Sequence, residues 1–133
     1  MKNICIGLFE GETLPESLAA FKDVKLDLEF GKVTTIYTLN QLDCEKIVVV
    51  GLGDGKKNIK EAFSKVEADD YLVYVNENTA YAAGFGLVYG AYSYKEMKVY
   101  DLESDGFKDE FEKGKTVARI VNHAREMSDM PAN

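Results

Sequence analysis

The chain has 133 residues, 46% of them hydrophobic and 29% charged, which fits one compact domain and excludes a disordered chain. Against 16 Lys and Arg stand 23 Asp and Glu, a net charge of -7, so a broad nucleic-acid or anionic-membrane surface would face long-range repulsion. Two cysteines, Cys5 and Cys44, have no CxxC or Cys/His cluster around them, which predicts a reduced, cytoplasmic chain, and no apolar run approaches the ~18 residues of a membrane helix.

The first element, Ile4–Phe9, reads as a strand rather than an export leader, because acidic Glu10 follows it with no cleavage pattern. Thr13 and Glu16 have capping-box spacing, and Leu14, Leu18 and Phe21 follow at helical intervals. Residues 24–30 alternate apolar and polar, which predicts a half-exposed strand, and Gly31-Lys32 would fold it back on Val33–Leu39 as a hairpin.

Lys46–Val50 lacks alternation, as a strand covered on both faces does, and it runs into Gly51-Leu52-Gly53-Asp54-Gly55. A helix follows, with Asn58 and Glu61 at its start and Ile59, Ala62, Phe63 and Val66 on one face. Tyr71–Val75 is the next buried strand. Asn76 or Asn78 then caps a long helix through about Tyr94, Met97–Leu102 alternates as a further strand, and a long amphipathic helix begins near Phe107. Its apolar positions are Phe111, Val117, Ile120, Val121, Ala124 and Met127, a stripe that needs covering by the domain or by another chain. Strands alternating with helices indicate an α/β layered domain with a largely parallel or mixed sheet.

Few residues are equipped for chemistry. His123 is the one histidine, and no HExxH, GxSxG or EF-hand spacing occurs. Asp69-Asp70 and the pair Glu103 and Asp105 lie beside turn residues and read as solvated charge rather than as acid/base pairs. Glycines at the carboxyl end of a central strand can bring backbone N–H groups to a phosphate. Here Lys57 stands where a Walker loop needs Ser or Thr, so Gly51–Gly55 fits neither nucleotide fingerprint and reads as a tight turn, with phosphate binding as the alternative.

The long helix carries Gly84, Gly86 and Gly90, each costing about 1 kcal/mol relative to Ala in a helix interior, which points to close packing. Ala80, Gly84, Leu87 and Ala91 share one face of it. Tyr81, Phe85, Tyr89 and Tyr92 form an aromatic stripe on another, suited to core or subunit contact more than to stacking nucleic acid. Arg119 and Arg125, the only arginines, fall in the last helix, where they complement its macrodipole or form a docking surface for an acidic segment.

Three segments taken together carry a resemblance: Lys46–Gly53, residues 84–95 (GFGLVYGAYSYK) and the tail Ala124–Asn133. In order and spacing they resemble the N-terminal domain of the leucyl (cytosol) aminopeptidase family over nearly the whole chain. Arg125, Pro131 and Asn133 keep that family's tail pattern, whereas Glu126, Met127 and Asp129 replace Asp, Leu and Asn.

The resemblance implies a macro-domain-like, three-layer α/β/α fold with a mixed sheet, and a single domain over residues 1–133 that ends at the junction to a catalytic domain. It implies that the parent enzyme removes N-terminal residues from peptides. Two divalent metal ions, zinc or manganese, and every catalytic residue then belong to that absent domain, leaving no catalytic, cofactor or metal residue to assign here. The implied partners are the catalytic domain of the same polypeptide and the other subunits of a hexamer, with no nucleic acid and no membrane. The alternative is a stand-alone macro-like module that binds ADP-ribose or a related nucleotide, supported by Gly51, Gly53 and Gly55 alone.

Overall fold

The two apolar runs without alternation become neighbours in the middle of a sheet. In the computed structural model, which describes residues 2–92 and 97–128, β1 (Asn3–Leu8) and β3 (Lys46–Gly51) pair in parallel, Cys5 opposite Val48. Both are covered on both faces: Ile4, Ile6, Leu8, Ile47 and Val49 enter one apolar cluster, while Cys5, Val48 and Val50 enter another. β4 (Tyr71–Tyr74) and β5 (Tyr100–Leu102) extend the sheet in parallel, and β2 (Val33–Tyr37) adds antiparallel to β3. The order is β2-β3-β1-β4-β5, a mixed and mostly parallel five-stranded sheet. The fold class is α/β.

One face is covered by helices α1 (Ile59–Phe63), α2 (Ala80–Gly90) and α3 (Lys108–Ser128). The opposite face is covered by a short 3-10 helix, Glu16–Phe21, through Leu18 and Phe21, and by Leu14, Leu26, Leu28 and Leu42 from irregular chain. The second covering layer therefore contains no α-helix among the described residues. Thr13 caps nothing there: Pro15 precedes the 3-10 helix, and the Glu12 carboxylate accepts from the Phe9 amide (2.7 Å).

Residues 24–30 form no strand, contrary to their alternation. The alternation still sorts their faces, since Leu26 and Leu28 are half-buried while Lys25 and Asp27 are exposed. The backbone of Leu28 and Glu29 crosses over Gly51, so the ladder position beside β3 falls to the β-branched run Val33–Ile36. The expected hairpin is replaced by pairing of β2 with β3.

Asn58 caps α1 as predicted, accepting from the Lys60 amide (3.2 Å). Before α2, the Asn76 side chain accepts from the Asn78 amide (2.8 Å) while its carbonyl takes the Thr79 and Ala80 amides, so Asn76 organises the turn and Thr79 is the N-cap. α2 ends at Gly90; the predicted extension through Tyr94 reaches into residues 93–96, outside the described ones. β5 is shorter than Met97–Leu102: Met97 is 83% exposed, and Val99 joins only by accepting from Tyr71 and donating to the Asp70 carboxylate. The tail residues Asp129, Pro131 and Asn133 also lie outside the described residues.

α2 and α3 cross at contact distance. A Cβ on Gly84 would strike the Phe111 carbonyl, and one on Gly114 would strike the Tyr81 carbonyl. Gly86 and Gly90 face α1 in the same way, against Lys60–Phe63 and Ser64. The helical glycines are thus explained by backbone approach on two sides of α2.

This crossing corrects the expected buried stripe of α3. Phe111, Gly114, Lys115 and Ala118 are buried, whereas Ile120 is 65% and Met127 59% exposed and Ala124 is also exposed; Val117 and Val121 are half-buried. Small residues set the packed face because they let the helices approach, and hydrophobicity alone misplaces it by part of a turn.

Candidate functional site

In an open α/β sheet, the crevice beyond the carboxyl ends of two strands whose continuations leave to opposite faces is the usual place for a ligand. β1 and β3 are such a pair. After β1 the chain leaves toward the 3-10 helix on one face, and after β3 it leaves toward α1 on the other. The glycine turn stands at this point.

The chain itself fills it. The Gly51 amide donates to the Lys32 carbonyl (2.7 Å), Leu52 to Leu8 (2.9 Å) and Gly53 to Leu28 (3.0 Å), while the Lys56 amide donates to the Asp54 carboxylate (3.0 Å). Gly53 has φ +69° and would bring a Cβ within 3.0 Å of the Phe30 side chain. Phe9 and Phe30 pack against the helical-face core, and the Lys57 ammonium lies 5.2 Å from the Phe30 ring centre. Amides committed to carbonyls are not free to cradle a phosphate. Beside the turn is an open cleft of about 640 Å³ lined by Glu10, Lys25, Leu26, Asp27, Leu28, Glu29 and Thr34, in which three carboxylates face one ammonium.

At the other end of the strands, Asp69 and Asp70 tie the sheet together. Asp69 accepts from the Asn3 amide group (3.1 Å) and lies 3.9 Å from the Lys46 ammonium, and Asp70 accepts from the Val99 amide (2.7 Å). Asn3 in turn accepts from the Glu45 and Lys46 amides, so β1, β3, β4 and the approach to β5 are joined at one edge. Lys2 pairs with Asp101 at 2.9 Å. Glu103 and Asp105 stay exposed. These carboxylates work as structural acceptors and surface charge.

The remaining nucleophiles and bases lie apart. Cys5 is fully buried, and burial pushes its thiol up to about 12. Cys44 is buried too, and His123 is exposed on α3. Among the described residues no three His, Cys, Asp or Glu side chains gather to hold a metal ion.

A grouping of aromatic and cationic side chains drawn from three helices lies on the outer side of α2. Tyr81, Phe85 and Tyr89 stack in series, with centroids 6.5 and 5.6 Å apart. Lys60 of α1 lies over Phe85 (4.7 Å) and Tyr81 (6.0 Å), and the Arg125 guanidinium of α3 lies 4.1 Å from both Tyr89 and Tyr92. Arg125 also donates to the Tyr89 carbonyl (3.3 Å) and the Asn122 carbonyl oxygen (3.1 Å), and Asn122 donates to the Val88 carbonyl (3.0 Å). α3 thereby caps the last turn of α2. Arg125 stands in the last turn of α3, and its guanidinium serves the end of α2 as well. Nothing in the order of residues brings Lys60 to Phe85; the packing of α1 against α2 does.

No protein-family profile matches the chain, and no curated protein does. Among solved structures it is similar to the bottromycin maturation enzyme BotP in complex with Mn, with 14% identity and a TM-score of 0.67. The match covers 98% of this chain and 32% of that one. At that identity the likeness establishes the fold, and this chain spans about a third of that enzyme's length.

Proposed function

We propose that this chain is a non-catalytic assembly and regulatory domain, the N-terminal domain of a metal-dependent leucyl aminopeptidase. The observation that carries the reading is the filled crevice: where an α/β sheet ordinarily holds its ligand, Lys32, Leu8 and Leu28 accept from the Gly51, Leu52 and Gly53 amides and Phe30 packs beside Gly53. The family-like segments supply the identity of the parent enzyme, and the fold shared with about a third of a longer enzyme bound to Mn fits a domain within a larger protein.

In this reading the metals, zinc or manganese, and the peptide site belong to the catalytic domain of the same polypeptide, within a cytoplasmic hexamer. Among the described residues no three His, Cys, Asp or Glu side chains gather to hold a metal ion, and the reading assigns the metals to that other domain.

The test compares two proteins made from the same reading frame: these 133 residues, and the whole open frame that contains them. With added zinc or manganese, leucine-amide hydrolysis is expected from the whole protein and not from the 133 residues. Turnover by the shorter chain that survives repurification refutes the reading, as does a frame that encodes no further domain.

A further inference from the structure

A helix on the surface of a domain ordinarily turns charged residues outward. α2, AYAAGFGLVYG, has no Asp, Glu, Lys or Arg in its 11 residues. Its sheet side carries Ala83 and Leu87, and its two flanks carry the glycines that meet α1 and α3. The direction left over, away from the sheet, is the stripe of Tyr81, Phe85, Tyr89 and Tyr92, all half-buried. The stripe runs the length of the helix, roughly 16 Å at 1.5 Å per residue.

Among the described residues, the charged groups placed over its rings come from neighbouring helices, and both are cations. Lys60 lies over Phe85 and Arg125 over Tyr89, rings whose centroids are 5.6 Å apart. Neither cation has a carboxylate partner among the described residues, although the chain as a whole carries a net charge of -7. Arg125 spends one guanidinium nitrogen on the Tyr89 and Asn122 oxygens, leaving its other donors for an external acceptor.

We propose that this outward face of α2 is a docking surface for an acidic, aliphatic-rich segment of another polypeptide. The partner's carboxylates meet Lys60 and Arg125, which lie over successive rings of the stripe, and its aliphatic side chains cover Phe85 and Tyr89. Charge complementarity selects this occupant. A second copy apposed by two-fold symmetry would set the same two cations against themselves, and a nucleic-acid strand would meet the repulsion of the whole chain. The inference does not depend on the aminopeptidase reading.

The test titrates the 133-residue chain with a synthetic helical peptide of Glu, Leu and Ala, and with its twin bearing Lys at every Glu, followed by amide and aromatic NMR shifts. The acidic peptide is expected to bind with shifts confined to α2 and the adjoining faces of α1 and α3. Binding should weaken as salt rises from about 50 to about 300 mM. Lys60→Glu, checked for an unchanged melting temperature, should weaken the acidic peptide at least tenfold and improve the Lys peptide; the wild-type salt dependence gives the same answer if that variant folds poorly. Equal binding of both peptides, no binding, shifts elsewhere, preferential binding of a single-stranded oligonucleotide, or concentration-dependent self-association through α2 would each overturn the proposal.

Discussion

Gly84→Ala discriminates between two views of α2. In an isolated helix the added methyl stabilises by about 1 kcal/mol, because Gly is the poorer helix former. In this fold the new Cβ would meet the Phe111 carbonyl, which is backbone and cannot swing aside. α3 must then shift outward and loosen Phe111 and Ala118, both fully buried. Overpacking of this kind costs about 1–3 kcal/mol. Contact with a backbone oxygen places the cost in the upper part of that range, about 2–3 kcal/mol, so after the propensity gain the net loss is about 1–2 kcal/mol, or about 3–8 °C in Tm at the scaling of a domain this size. Gly114→Ala strikes the Tyr81 carbonyl from the other helix and should behave alike. The double variant should lose less than the sum, because the first substitution already separates the helices. Urea and thermal melts of the four proteins measure this, and a rise in Tm for either single variant would refute the close crossing.

Ile120→Asp, which the apolar stripe of α3 would make severely damaging, should change stability by no more than about 0.5 kcal/mol, because Ile120 is 65% exposed; a large fall in Tm would return that position to an interface. Arg125→Lys should lower Tm nearly as much as Arg125→Ala, since an ammonium cannot stack flat between Tyr89 and Tyr92 while donating to Tyr89 and Asn122, and full rescue by Lys would contradict that role. Burial raises the folded-state values of Cys5 and Tyr100 to about 12 from 9.0 and 10.0 and also raises Tyr71, so the folded state holds more protons than the unfolded one above pH 9. Stability is then fully present below pH 9 and falls as pH rises toward 12; a melting temperature that stays flat across that window would count against the burial of these groups.

The parts of the fold that sequence made legible are those fixed by local pattern. Lys46–Val50 lacks alternation because both faces of β3 are covered, and Asn58 caps α1 because its carboxamide oxygen reaches the Lys60 amide within the same turn. Residues 24–30 show where local pattern stops deciding. Their alternation sorts Leu26 and Leu28 inward, yet a strand also needs a free edge to pair with, and β2 holds the edge of β3. α3 shows the same limit for helices: Gly114 and Ala118 score weakly as hydrophobic, but their small size is what lets α2 come near.

The candidate sites divide along the same line. A glycine turn after a central strand looks alike whether its amides face a phosphate or a neighbouring carbonyl, and the acceptors that decide it, on Leu8, Leu28 and Lys32, come from distant parts of the chain. The aromatic stripe of α2 was visible because Tyr81, Phe85, Tyr89 and Tyr92 repeat at helical spacing within one element. Its electrostatic character was not, because Lys60 and Arg125 arrive from α1 and α3 only once the glycines of α2 have let both helices close in. The same glycines that weaken α2 as a helix therefore assemble the cations over its rings. A substitution that separates α2 from α3 should consequently cost acidic-peptide affinity as well as stability, even though Gly84 touches no ligand.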